Sequence, residues 1–135
     1  IGKMKAHFGS LKGKKIAVWG LAFKPKTDDM REAPSIPFID ALLSAGASVQ
    51  AYDPEAMKVA KGIFGTRVTL SGGNYEALKG VDGLAIITEW NEFRRPDFAR
   101  MRRLMRSPVI FDGRNLFTPG QMKENGFTYY SIGRL

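Results

Sequence analysis

The sequence predicts an α/β fold, a doubly wound, mostly parallel sheet of about six strands with helices on both faces. Three observations predict it. Short apolar runs alternate with amphipathic stretches along the chain. The apolar runs read as strands buried on both faces, which is the mark of a parallel sheet. Residues 14–135 carry no internal repeat, low-complexity tract or linker, so one core accommodates all the elements.

Residues 1–13 read as the tail of a polar helix ending in Gly-Ser-Leu-Lys-Gly, an opening that suggests a piece cut from a longer chain. Lys15–Gly20 (KIAVWG) is the first strand, ended by glycine, with Trp19 in the core. A charged loop of roughly a dozen residues, Leu21 to Glu32, follows. Pro34 and Ser35 open a helix, with proline tolerated in its first turn. Ile36, Ile39, Leu42 and Leu43 fall on one face of it, and Gly46 stops it. Ser48–Tyr52 is the second strand, ended by Asp53-Pro54, and Glu55–Phe64 the next helix. Arg67–Leu70 is a strand, Asn74–Lys79 a short helix, and Gly83–Thr88 the most apolar strand. Pro96–Met105 forms a helix burying Phe98, Met101, Leu104 and Met105. Val109–Phe111 is a fifth strand, Pro119–Asn125 a last short helix, and Tyr129–Ile132 a sixth strand. The architecture is Rossmann-like.

Composition bounds the chemistry. The 135 residues are 44% hydrophobic and 25% charged, ordinary for one globular domain. With no cysteine, disulfides, thiolate zinc sites, iron–sulfur clusters and a cysteine nucleophile are excluded from this chain. His7 is the one histidine, and its polar helical setting marks it as a surface residue; no metal site is expected. No apolar run suits a membrane span or a signal peptide, so a cytoplasmic location is expected. The net charge of +8 is uneven. Residues 1–31 carry +6, residues 94–106 carry +5 with six arginines, and the remainder carries −3. Two basic patches suggest an anionic ligand or partner. The arginine run reads more simply as a solvated helix face.

In an open parallel sheet, ligands bind beyond the carboxyl ends of the strands, where strand order reverses. The candidates are therefore the loop after Gly20, Asp53, Thr88-Glu89-Trp90 and Asp112–Asn115. The first loop combines Phe23 with Lys24, Lys26 and Arg31. An aromatic ring beside cations suits a flat base joined to phosphates. Arg114 would place a guanidinium on the same edge, and a phosphate bridging Lys24 and Arg114 would relieve their repulsion. Its simpler reading is a pair with Asp112 or a helix C-terminus. After Gly20 come Leu21, Ala22, Phe23 and Lys24, which lack the glycine-rich turn of a dinucleotide site. Side-chain cations must then take the place of a backbone cradle. Without those glycines, Asp53 reads as a strand terminator rather than a ribose ligand. Asp28 and Asp29 read as acids favouring the following helix N-terminus rather than as a metal or acid–base pair.

The segment from Gly20 to Ser35, GLAFKPKTDDMREAPS, resembles the signature of the C-terminal, UDP-binding domain of the UDP-glucose/GDP-mannose dehydrogenase family. Ala51-Tyr-Asp-Pro54, Thr88-Glu-Trp-Asn-Glu-Phe93 and Phe111-Asp-Gly-Arg-Asn115 match further motifs in order. The Ala22–Pro25 and Met30–Pro34 stretches resemble the bacterial UDP-glucose 6-dehydrogenase branch more than the GDP-mannose or UDP-N-acetylmannosamine branches. The resemblance implies a parent enzyme that oxidises the sugar C6 alcohol to a carboxylate in two NAD-dependent steps, through a cysteine that traps the aldehyde. It implies that this cysteine and the NAD-binding domain lie in preceding parts of the parent, a homo-oligomer, and that this chain alone does not catalyse. Residues 1–13 would end a connecting helix, and residues 14–135 would form the UDP-sugar-binding domain. By position, Phe23, Lys24 and Arg114 resemble residues that contact the UDP-sugar. Arg31 resembles the arginine that extends toward NAD on the other domain.

Two other classes compete. A receiver-type signalling domain shares the fold class and an acidic pair after the first strand. It lacks an aspartate after the third strand, near Leu70, and the fifth strand ends in Asp-Gly-Arg rather than a lysine. A nucleic-acid-binding module would use the basic patches, but no recognition-helix or aromatic-platform motif accompanies them.

Overall fold

A computed structural model describes residues 1–131, so Ile132 of the expected final strand lies outside the described residues. Helix α1 (Gly2–Phe8) leads into strand β1 (Lys15–Trp19). Helix α2 (Ser35–Ser44), strand β2 (Ser48–Tyr52), helix α3 (Met57–Phe64) and strand β3 (Thr69–Leu70) follow. Strand β4 (Gly83–Ile86), helix α4 (Phe98–Leu104), strand β5 (Val109–Asp112), helix α5 (Pro119–Glu124) and strand β6 (Thr128–Ser131) complete the order.

The six strands lie in the order β3-β2-β1-β4-β5-β6, and every pairing is parallel. Strand order reverses between β1 and β4, which places the ligand crevice of a Rossmann-like sheet beyond Trp19 and Ile86. A receiver domain has a different order, 2-1-3-4-5. The strand arrangement therefore argues against the signalling alternative.

Alternating side chains of β1 feed two cores. Ile16 and Val18 pack with α1, α2 and α3 on one face, and Ala17 and Trp19 with α4 and α5 on the other. Residues 16–19 are fully buried, so β1 is the spine of the molecule. Burying each larger apolar side chain contributes roughly 1.5–3 kcal/mol. Trp19 stacks on Phe93 at 4.9 Å, and its indole N–H donates to the Asn74 carbonyl at 2.9 Å.

Three expectations need adjustment. The opening segment is not a polar tail: Met4 and Leu11 are buried in the α1–α2–α3 core. His7 is exposed as expected, but its Nδ1 is 2.7 Å from the Tyr130 hydroxyl, and Lys3 donates to the Ser131 carbonyl. The third strand shrinks to two residues because Arg67 turns back, its guanidinium bonding Phe64 O, Ile63 O and Asp40. The helix expected at Asn74–Lys79 is one 3-10 turn, Glu76–Leu78, with the Asn74 carbonyl and Glu76 carboxylate engaged outside it. Among the described residues no helix is long and apolar enough to cross a membrane.

Gly20 closes the spine. Its φ is +96°, and a Cβ there would lie 2.5 Å from both the backbone nitrogen and Cβ of Thr88. Gly20→Ala is expected to cost about 2–4 kcal/mol in urea denaturation, since strain and a backbone clash combine. Gly73→Ala, with nothing within 4 Å of its Cβ position, is expected to change stability little.

Candidate functional site

The loop after β1 is held by side chains rather than by its own turns. Asp53, fully buried at the end of β2, accepts from the backbone N–H of Leu21 at 2.7 Å and of Ala22 at 3.0 Å. Its other oxygen accepts from the N–H groups of Glu55 and Ala56, both at 2.9 Å, at the entry to α3. The Trp90 indole adds a fifth donor at 3.1 Å. The Leu21 carbonyl accepts from the Ser35 hydroxyl at 2.7 Å, and the Ala22 carbonyl from the Thr88 hydroxyl at 2.8 Å. All four backbone polar groups of Leu21 and Ala22 are therefore bonded by buried side chains. This agrees with reading Asp53 as structural, and it leaves neither N–H free to cradle a phosphate.

Asp112 plays the matching part at the end of β5. Buried, it accepts from the N–H groups of Arg114 (2.9 Å) and Phe117 (3.1 Å) and from the Tyr129 hydroxyl (2.7 Å). Arg114 does meet Asp112, but through its backbone. Its guanidinium pairs instead with Glu89, just after β4.

On this frame the predicted residues fall into two groups. Phe23, Lys24 and Arg31 gather around Asp29. Phe23 is 49% exposed, has no ring partner among the described residues, and its N–H donates to the Asp29 carbonyl at 2.7 Å. Arg31 grips the Asp29 carboxylate, with Nε at 3.1 Å from Oδ1 and Nη2 at 2.9 Å from Oδ2. A depression of about 390 Å³ opens between Phe23, Asp29, Arg31 and Glu32. Lys24 is exposed and makes no hydrogen bond or ion pair among the described residues. Arg114 and Glu89 form the second group. A neighbouring depression of about 560 Å³ is lined by Lys26, Pro54, Glu89, Trp90 and Glu92. No hydrogen bond or ion pair joins Arg114 to Phe23, Lys24 or Arg31 among the described residues. A larger depression of about 660 Å³, against α3 and β3, includes none of the predicted site residues.

The acids of the first loop have a different role from the one expected. Neither lies in the first turn of α2, which begins at Ser35, so they do not serve its N-terminus. Asp29 instead accepts from Arg31, whose hydrogen bonds pull its carboxyl well below the ordinary value, to about 2. At the end of β2, burial and the nearby Glu92 carboxylate push the Tyr52 phenol up to about 12. Thr88, Glu89 and Trp90 were legible as a polar cluster at a strand end, but their separate partners were not. In the arginine segment, Arg100 lies over the Tyr75 ring at 4.2 Å, and Arg106 reaches Asp82 at 3.8 Å. Among the described residues no cluster of histidine, aspartate and glutamate could hold a metal ion.

Residues 17–119 match the model of the UDP-glucose/GDP-mannose dehydrogenase family, UDP binding domain. The chain is 47% identical over 131 residues to a UDP-glucose 6-dehydrogenase of Pseudomonas aeruginosa, covering 93% of this chain and 29% of that protein. It is 42% identical over 134 residues to the UDP-glucose 6-dehydrogenase TuaD of Bacillus subtilis, covering 99% of this chain and 29% of that one. Among solved structures, a UDP-glucose dehydrogenase from Pyrobaculum islandicum superposes with a TM-score of 0.80 at 32% identity. That match covers 96% of this chain and 27% of the other. An NDP-N-acetyl-D-galactosaminuronic acid dehydrogenase from Methanosarcina mazei gives 0.82 at 29% identity, over 98% of this chain and 27% of the other. The chain thus spans under a third of the length of these relatives.

Two measurements check the site's electrostatics and frame. In an NMR titration the Asp29 carboxyl is expected to stay ionised until about pH 2, and Arg31→Ala to return it toward the ordinary 3.8. Because the folded value is the lower one, the pair's contribution to stability is present above pH 4 and lost as pH falls through about 2. Asp53→Asn turns an amide NH₂ toward buried N–H donors and is expected to cost about 2–4 kcal/mol in urea denaturation.

Proposed function

Because this chain belongs to the UDP-glucose/GDP-mannose dehydrogenase family, we propose that it binds the UDP part of a sugar nucleotide at the carboxyl rim of its sheet. In this reading Phe23 stacks on the uracil, while Lys24 and Arg114 hold the diphosphate. One observation carries it: an exposed aromatic ring and a cation with no hydrogen bond or ion pair stand side by side on a loop whose backbone is already locked. An exposed ammonium without a hydrogen bond or ion pair, next in sequence to an exposed ring, is the arrangement that a flat base joined to phosphates would complete.

The same lock bears on NAD. A dinucleotide cradle needs free N–H groups at the turn after β1, and here those of Leu21 and Ala22 are spent on Asp53. These residues do not fit that cofactor, so NAD would be held by another domain, with Arg31 reaching toward it. The parent enzyme would then convert UDP-glucose to UDP-glucuronate in the cytoplasm, and this part alone would not catalyse, having no cysteine. Identities of 42–47% to UDP-glucose 6-dehydrogenases favour that sugar over the other branches. Residues 1–13 would finish a helix connecting to the rest of a homo-oligomeric parent.

Calorimetry of the chain with UDP, UDP-glucose and GDP tests the reading. UDP and UDP-glucose are expected to bind and GDP to bind more weakly; equal affinity for GDP would count against uracil recognition. Lys24→Ala and Arg114→Ala are each expected to weaken UDP by about 1.5–3 kcal/mol, as for a lost charge-assisted contact. Arg31→Ala is expected to leave UDP affinity unchanged, and a loss comparable to the other two would place Arg31 on the nucleotide.

A further inference from the structure

Arg114 meets Glu89 by one edge of its guanidinium. Nε donates to Oε2, and Nη2 to Oε1 at 3.4 Å. Arg31 offers the same edge to Asp29, through Nε and Nη2. A guanidinium carries five N–H donors on a planar fork, so this mode spends two of them and leaves the two on Nη1 and one on Nη2. For Arg114 no other acceptor takes these three among the described residues.

Glu89 is itself firmly placed. Its neighbours Thr88 and Trp90 are both buried and both bonded to the locked frame, Thr88 to the Ala22 carbonyl and Trp90 to Asp53. Arg114 has a similarly fixed root, with its own N–H on Asp112 and that of Gly113 on the Ile86 carbonyl at 2.9 Å. A long, half-exposed side chain would otherwise lose its rotamer freedom only when a ligand arrives.

We propose that Glu89 is a positioning residue, which holds Arg114 by its Nε edge so that the opposite edge is presented to a phosphate. The proposal rests on the nucleotide reading above. It also runs against simple charge counting, because Glu89 places a negative charge beside an anion site. Removing that charge should tighten phosphate binding if Glu89 is only a counterion, and should weaken it if Glu89 orients the fork.

UDP titrations of Glu89→Ala, Glu89→Gln, Arg114→Ala and the Glu89→Ala/Arg114→Ala double variant decide between these, with circular dichroism confirming that each is folded. Glu89→Ala is expected to weaken UDP about three- to tenfold. Glu89→Gln is expected to recover part of that loss, because its carbonyl still accepts from Nε while its amide cannot accept from Nη2. It also supplies the comparison should Glu89→Ala not fold. In the Arg114→Ala background, Glu89→Ala is expected to bring no further loss. Unchanged or tighter binding by Glu89→Ala overturns the positioning role, as does an equal loss with and without Arg114. If Arg114→Ala itself leaves UDP affinity unchanged, the nucleotide reading fails at that residue, and the positioning role falls with it.

Discussion

The peptide groups of Leu21 and Ala22 sit where a Rossmann-like sheet ordinarily offers its backbone to a ligand. Here Asp53, Ser35 and Thr88 take all four of their polar atoms. The cost of leaving any of those groups buried and unpaired is what holds four chain segments in register. Asp53 ties the ends of β1 and β2 to the start of α3, and Trp90 brings the segment after β4 to the same carboxylate. Gly20 permits the arrangement, since only an absent Cβ allows Thr88 to approach so closely.

This lock decides what kind of chemistry the rim can perform. With the backbone occupied, recognition of an anion as proposed would pass to side chains carried on top of the frame, and those side chains differ in how their charge is compensated. Arg31 and Arg114 each hold a carboxylate already, whereas Lys24 holds none among the described residues. On the proposed reading a ligand phosphate would find the lysines of the first loop, Lys24 and Lys26, open to it directly, and two guanidiniums whose free edges are set by an acid. Exposed pairs of this kind contribute little to stability. Their value lies in geometry, where a planar fork gripped on one side keeps a defined orientation on the other.

The sequence made the fold legible because its signals were local. Apolar runs, helical periodicity and glycine stops located the strands and helices to within a few residues, and the order of carboxyl-end loops followed from the parallel topology. The elements that shrank, β3 and the turn at Glu76–Leu78, are those whose polar groups are engaged by distant partners. The site was legible in composition but not in pairing. The first loop and Arg114 stood out by residue type, and the missing glycines correctly marked Asp53 as structural. Glu89 stood among the strand-end candidates, but its pairing with Arg114 gave no signal, since that partner is 25 residues away. The pairing of Asp29 with Arg31, only two residues on, was obscured by the nearness of a helix that the acid does not in fact serve.

Frame and rim are thus separate layers with separate sensitivities. Residues of the frame (Gly20, Asp53, Thr88 and Asp112) are buried or sterically confined, so changes there are felt first as loss of folding. Residues of the rim (Phe23, Lys24, Arg31 and Arg114) are exposed, so changes there leave the core untouched and, on the proposed reading, would alter what the domain can hold. If the rim binds as proposed, a fold organised in this way could exchange one anionic ligand for another by replacing rim side chains alone. A glycine cradle cannot do so, because there the ligand contacts and the turn geometry are the same atoms.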